Sequence, residues 1–315
     1  MPEYAIELDD ITKQYGDKQA LSGVTFTMPA GTVLGVLGPN GAGKTTTINV
    51  LSTLIRPTSG SARVAGYDVV KQAAQVRKSI GLTGQYAAID EMLTGRENLV
   101  LFGELNGLPR GQARARADQL LEAFSLTDAA GRRVGTYSGG MRRRADIACG
   151  LVAEPAVVFL DEPTTGLDPR SRREVWDLVS SLTDRGTSVL LTTQYLDEAD
   201  ALSDSIVVID HGRVIAEGTA DELKQRVGGN FCQVTPVHTA DGPRIAAVLA
   251  EIAGAATAVE TDADTGALSI PAPAGLSTLG EVFRRLEALE IEVGDIALRK
   301  PSLDEVFFTL TAPAP

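Results

Sequence analysis

Cysteine is nearly absent from this sequence. The 315-residue chain contains two, Cys149 and Cys232, too few for a disulfide framework and without metal-ligand spacing. They fit a reducing cytosol, where they would serve as small buried hydrophobes. Long hydrophobic runs are missing too. No stretch reaches about 18 uninterrupted apolar residues, so no membrane-spanning helix is expected. The opening Met1-Pro2-Glu3-Tyr4 does not read as a signal peptide. Positive charge is also in short supply. The formal net charge is −12, which leaves no global basic field to release counterions from nucleic acid or to hold an anionic membrane surface. A role at a membrane would be that of a peripheral subunit held by another chain. Hydrophobic residues at 43% and charged residues at 22% are ordinary for a globular protein, and the length suits about two domains.

Against that background one stretch stands out: Gly38-Pro39-Asn40-Gly41-Ala42-Gly43-Lys44-Thr45-Thr46, of the form G-x-x-x-x-G-K-T. Val33 to Leu37 enters it as an apolar strand, and Thr46 to Leu51 leaves it as a helix. Strand, glycine loop and helix together make a phosphate-binding loop of what would otherwise be a glycine-rich turn. Glycines let successive N–H groups point inward, and the helix dipole adds a positive field. In that setting Lys44 would reach the β- and γ-phosphates of a nucleoside triphosphate, and the Thr45 hydroxyl would ligate Mg²⁺.

The pattern elsewhere is α/β. Tyr4 to Leu8 and Val24 to Met28 read as strands of an opening antiparallel layer. Strands at 61–65 and 79–83 follow, with a short helix at 69–77 between them. From Leu93 to Ala153 the pattern turns helical, a subdomain of about 86–153 inserted in the core; its Arg110–Phe124 helix carries Ala117, Leu120, Leu121 and Phe124 at helical spacing. The core resumes with the buried-strand runs 156–160 and 188–192, separated by a helix at 170–182 that holds Trp176. A hairpin at 205–216 turns on His211-Gly212. Gly228-Gly229 marks the boundary between a first domain, 1–228, and a small α/β domain, 229–315. In the second domain the expected order is strand, helix, strand, strand, helix, strand and a last helix at 302–310.

Two further sites carry chemistry. Val157-Val158-Phe159-Leu160-Asp161-Glu162 buries a strand and presents two acids where it emerges. Beside a phosphate loop, Asp161 holds Mg²⁺ through water and Glu162 polarises the attacking water as general base. Tyr137-Ser138-Gly139-Gly140-Met141 opens a helix, and glycine-rich helix starts are anion sites. Arg142-Arg143-Arg144 reads as a solvated or interface face of that helix: no aromatics interleave with it and the chain is acidic.

These motifs resemble, in order, the ATP-binding-cassette (ABC) family of phosphate-loop NTPases. The family signature is L-S-G-G-Q; Tyr137 and Met141 depart from it, while Ser138, Gly139 and Gly140 are retained. The resemblance implies that this loop completes the ATP site of a second copy, in a head-to-tail dimer. It also implies that Tyr15 stacks on adenine, that Gln85 touches Mg²⁺ or water and faces a membrane subunit, and that Asp168, in Thr165-Gly166-Leu167-Asp168, crosses the dimer interface. The family's γ-phosphate-contacting histidine is replaced by Gln194, which donates a hydrogen bond but carries no titratable proton. His211 does not make good that loss; it reads as a turn residue.

The segments Thr192 to Asp200, Asn98 to Gly103 and Pro301 to Phe308 narrow the resemblance to daunorubicin/doxorubicin-resistance ATP-binding subunits. That type implies an exporter ATPase on the cytoplasmic side of the membrane, paired with a separately encoded permease, with no nucleic-acid partner. Export of an endogenous lipid or polyketide, and a slowly hydrolysing regulatory module, are the alternatives. ABC ATPases of DNA or ribosomes usually carry paired cassettes or long coiled-coil insertions, and this chain has neither. Leu303, Val306, Phe307 and Leu310 share a helical stripe that fits either a partner or the domain's own sheet.

Overall fold

The computed structural model of the chain describes residues 3–84, 88–184, 186–227, 230–254, 259–262, 265–300, 302–303 and 305–307. It divides into two units, Met1–Ala220 and Asp221–Pro315. The glycine pair expected to separate the domains lies outside the described residues, and so does Gln85.

The first unit opens with strands β1 (Tyr4–Tyr15) and β2 (Lys18–Pro29), which pair antiparallel. Strand β3 (Val33–Leu37) leads into helix α1 (Lys44–Leu51), followed by β4 (Ser59–Val64) and β5 (Tyr67–Asp68). Helix α2 (Ala73–Ser79) and β6 (Ile80–Thr83) precede three helices, α3 (Gly95–Leu105), α4 (Arg110–Ala123) and α5 (Gly139–Gly150). Then come β7 (Val157–Asp161), α6 (Pro169–Thr183), β8 (Ser188–Thr193), α7 (Leu196–Leu202), and the hairpin of β9 (Ser205–Asp210) and β10 (Arg213–Gly218). One sheet has the order β2-β1-β4-β5; the other runs β10-β9-β3-β8-β7-β6.

The apolar runs of the sequence explain the central sheet. Strands β3, β7 and β8 are buried along their whole length, as parallel strands covered on both faces must be. Because side chains alternate, each strand feeds two cores. Val157 and Phe159 join Leu34, Val36 and Leu190 beneath the antiparallel layer and α1. Val158 and Leu160 join Leu191, Leu99, Leu121, Ile147 and Val179 beneath the helices. The register matters for function. Strand β8 pairs with β3 on one side and β7 on the other, so Leu37 stands beside Thr193 and Asp161 beside Thr192. The phosphate loop and the acidic strand end therefore flank the C-terminal end of β8, at the edge where ligands of open parallel sheets bind.

The second unit begins with helix α8 (Ala220–Val227, its first residue belonging to unit 1), then β11 (Phe231–Pro236), α9 (Gly242–Ala253), β12 (Glu260–Thr261), β13 (Leu268–Pro271), α10 (Leu276–Ala288) and β14 (Val293–Arg299). The sheet order β12-β13-β11-β14, with antiparallel neighbours, is the split β-α-β arrangement of ferredoxin-like domains. Cys232 and Val234 of β11, Ile245 and Leu249 of α9, and Val282 and Leu286 of α10 form its core. Both cysteines are buried and free, and burial raises both thiols above the usual value. Of the expected stripe, Leu303 and Val306 are buried and Phe307 is half-buried; Leu310 lies outside the described residues.

Candidate nucleotide site

A cleft of about 280 Å³ is lined by Tyr15, Lys18, Ala20, Pro39, Asn40, Gly41, Gly43, Lys44, Thr45, Thr46 and Glu162. Helix α1 starts here at Gly43, whose φ of 115° only glycine adopts freely, and no side chain caps the helix. Its first N–H groups are therefore left for a ligand, at the positive end of the dipole. Ala42 belongs to the same loop, and its carbonyl accepts from Gly212 N at 2.8 Å. Gly38 is pressed against β9: a Cβ there would stand 2.2 Å from the Ile209 carbonyl oxygen.

Lys44 is 5% exposed. Its Nζ donates to Gly38 O at 2.7 Å and Pro39 O at 3.2 Å, and lies 3.9 Å from Glu162 Oε1. Burial lowers its pKa, while the charges of Glu162 and Asp161 oppose that shift. Thr45 Oγ1 donates to Asp161 Oδ2 at 3.1 Å, and Thr192 Oγ1 donates to Asp161 Oδ1 at 2.5 Å. A threonine hydroxyl and a fixed carboxylate thus converge as hard oxygen donors, the set Mg²⁺ prefers when phosphates supply its other ligands. Among the described residues no group of three or more His, Cys, Asp or Glu could hold a metal by itself.

Glu162 has φ of 48°, a conformation that costs a non-glycine residue about 1–2 kcal/mol and collects at functional sites. Its amide is held by Thr192 O at 3.1 Å, and its Oε2 accepts from Thr165 Oγ1 at 3.2 Å. Tyr15 ends β1 with 47% of its surface exposed, on the cleft wall rather than in the core. Gln194 follows β8 directly and is half-buried, but does not line the cleft.

Ser138, Gly139, Gly140 and Asp168 also stay outside the cleft. Ser138 caps α5 by accepting from Met141 N, and Asp168 caps α6 by accepting from Arg170 N and Ser171 N. The two caps are neighbours, since a Cβ on Gly140 would stand 2.5 Å from Ser171 Oγ. Tyr137, the departure from the signature, fits its surroundings. Its hydroxyl donates to Ala129 O at 2.7 Å, and Gly95 leaves room for it, since a Cβ there would lie 2.3 Å from that hydroxyl.

The arginine triplet corrects one expectation. Arg142 and Arg144 are half-buried and pair with Glu91 and Glu174, but Arg143 is interior at 9% exposure. Its helical phase turns it toward β7. His211 is a turn residue as expected, with φ of 44° and a 95% exposed side chain. No local pattern signals that its neighbour Gly212 braces the phosphate loop.

The fold and the cleft define a phosphate-loop ATPase. Residues 21–165 match the family model described as ABC transporter. The chain is 55% identical over 311 residues to the doxorubicin resistance ATP-binding protein DrrA of Mycobacterium tuberculosis (strain ATCC 25618 / H37Rv), covering 98% of this chain and 94% of that protein. It is 51% identical over 313 residues to the daunorubicin/doxorubicin resistance ATP-binding protein DrrA of Streptomyces peucetius, covering 98% and 93%. Among solved structures it is similar to an ATP-binding subunit of an ABC transporter, with TM-score 0.64, 30% identity and coverage of 70% and 92%. A dimeric, post-hydrolysis structure of the ATP-binding cassette MJ0796 bound to ADP and Pi gives TM-score 0.62, 25% identity and coverage of 68% and 98%. The chain belongs to the ABC transporter family, as an ATP-binding subunit whose ATP hydrolysis is coupled to transport.

Proposed function

We propose that this subunit powers an exporter for a drug or another hydrophobic compound, acting from the cytoplasmic face of the membrane through a separate permease. The resistance relatives support the choice of cargo class. A peripheral placement accords with the described residues, none of whose helices is long and apolar enough to cross a membrane. The observation that carries the reading is the convergence of Lys44, Thr45, Asp161 and Glu162 beside the uncapped start of α1.

In this reading Tyr15 offers an exposed ring to the adenine, and the N–H groups from Gly41 to Thr46 cradle the phosphates. Lys44 exchanges its loop carbonyls for phosphate oxygens. Thr45 and Asp161 would hold Mg²⁺, and the family resemblance assigns Gln85 a contact with the same ion or its water. The chemistry Mg²⁺ would supply there is neutralisation of the charge that develops on the phosphates. Glu162, fixed by Thr192 and Thr165, takes the proton of the attacking water. Gln194 donates a hydrogen bond toward the γ-phosphate where the family's histidine would stand. Ser138, Gly139, Gly140 and Asp168 form a separate surface that meets the cleft of a second copy, completing two shared sites head to tail. The C-terminal unit assists assembly with the permease.

The test is steady-state hydrolysis by full-length protein with its permease. Glu162→Gln abolishes turnover while nucleotide binding persists, and Gln194→His is tolerated or accelerates it. Normal turnover by Glu162→Gln would remove the assigned base. Transport by vesicles containing both chains then separates a drug from a lipid or polyketide cargo.

A further inference from the structure

One buried ion pair takes no part in the steps above. Arg143 and Asp146 lie three residues apart on α5, with Arg143 Nη1 3.3 Å from Asp146 Oδ2. Arg143 donates from Nε to Pro163 O at 2.9 Å, from Nη1 to Gly84 O at 2.8 Å and from Nη2 to Asp161 O at 3.1 Å. Asp146, 2% exposed, accepts from Ala88 N at 2.8 Å. Two side chains of one helix thus grip four backbone positions. Asp161 and Pro163 lie on either side of Glu162. Gly84 and Ala88 are the described residues on either side of the segment that contains Gln85.

Burying a guanidinium and a carboxylate is a poor route to stability, because an apolar pair of similar volume commonly does as well. What an apolar pair would not do is fix carbonyls. The planar guanidinium presents its donors in a rigid fork, which an ammonium does not. Here the fork spans both peptide neighbours of a residue held at positive φ. We propose that Arg143, with Asp146, is a positioning device for hydrolysis. It sets the Glu162 turn from behind, and ties that turn to both flanks of the Gln85 segment and to the helix that begins at Ser138-Gly139-Gly140. Its effect is on where the general base stands, not on ATP affinity. This inference rests on the reading of Glu162 as base.

The experiment compares full-length wild type with Arg143→Lys and with the double variant Arg143→Met/Asp146→Leu. It measures kcat and KM for Mg-ATP, affinity for a fluorescent ATP analogue, and Tm. The double variant removes both charges together, so its Tm stays near that of wild type. Its kcat falls by about tenfold to a hundredfold, the scale of a small misplacement of a reacting group, while nucleotide affinity stays within about twofold. Arg143→Lys keeps the charge but loses the fork, and its kcat falls by at least about threefold with Tm retained. A double variant that folds and turns over at the wild-type rate overturns the proposal. So does a loss of ATP affinity in step with kcat. Should the double variant fail to fold, Arg143→Lys decides: wild-type kcat refutes the proposal, and reduced kcat with unchanged affinity supports it. Glu162→Gln in the same assay separates the two levels. If it leaves turnover intact, the reading of the base fails. If it abolishes turnover while both pair variants keep theirs, only the positioning role fails.

Discussion

Glu198 in α7 has no exposed surface, and its Oε1 accepts from Trp176 Nε1 at 3.2 Å. Burial raises its pKa; hydrogen bonds, that from Trp176 among them, oppose the shift, and the neighbouring charge of Asp197 adds to it. The folded protein holds this proton more tightly than the unfolded chain. The group's contribution to stability is therefore complete below the ordinary glutamate value and is lost as pH rises through the raised one. Trp176 is the chain's single tryptophan, so its fluorescence reports the event directly. We expect a transition in native fluorescence above the ordinary carboxylate range, and Glu198→Gln removes it. The same substitution makes Tm less dependent on pH across that window, with its benefit largest at the alkaline end. A fluorescence transition that survives Glu198→Gln would assign the titration elsewhere.

At the scale of elements, the turn between β9 and β10 ties the phosphate loop to the antiparallel sheet. Gly212 N donates to Ala42 O at 2.8 Å, and Gly212 O accepts from Ser22 N at 2.7 Å. Its φ is 74°, and a Cβ would stand 2.6 Å from Ala20 O. Gly212→Ala therefore displaces the turn, costing about 1–3 kcal/mol in urea unfolding and weakening nucleotide binding several-fold. His211→Asn, at an exposed position whose left-handed backbone asparagine tolerates, changes neither. A second brace joins α3 to the start of α5 through Tyr137. Gly95→Ala collides with its hydroxyl and costs about 1–3 kcal/mol; adding Tyr137→Leu restores part of that, a coupling that a double-mutant cycle measures.

These braces also mark the limit of sequence reading. Strands β3, β7 and β8 were legible because two-sided burial writes itself as an unbroken apolar run. The phosphate loop was legible because its requirements are local. The grip of Gly212 on Ala42 spans residues far apart in sequence, and no local pattern encodes it. Arg143 was hidden among identical neighbours, since only the phase of α5 against β7 separates it from Arg142 and Arg144. The order of strands and helices expected for the second unit holds from β11 to β14, the short β12 included, because each apolar run there has the period of its element.

At the scale of the whole molecule, the proposed division of labour, nucleotide in the first unit and assembly in the second, gives a first expectation. Every residue lining the cleft belongs to the first unit. A chain ending after Gly229 therefore keeps nucleotide affinity but loses association with the permease, measured by co-purification; unchanged association would remove the assembly role. The proposed shared site gives a sharper one. Lys44 and Gly139 belong to one chain, yet only Lys44 lines the cleft. In a head-to-tail pair each site takes Lys44 from one copy and Gly139 from the other. Lys44→Ala and Gly139→Glu should each be inactive as pure proteins. Gly139→Glu should fold, because a Cβ there meets only Leu167, at an ordinary 3.6 Å. Mixed in equal amounts, about half of the dimers combine one copy of each, and in every such dimer one of the two sites has both residues intact. If single sites fire independently, turnover recovers to about a quarter of the wild-type rate per chain, and it rises more than linearly with protein concentration where monomers predominate. A mixture as inactive as its components, at concentrations where wild type shows linear, saturated dimer activity, would count against independent shared sites. Strictly linear wild-type activity down to concentrations at which the protein sediments as a monomer would place the whole reaction within one chain.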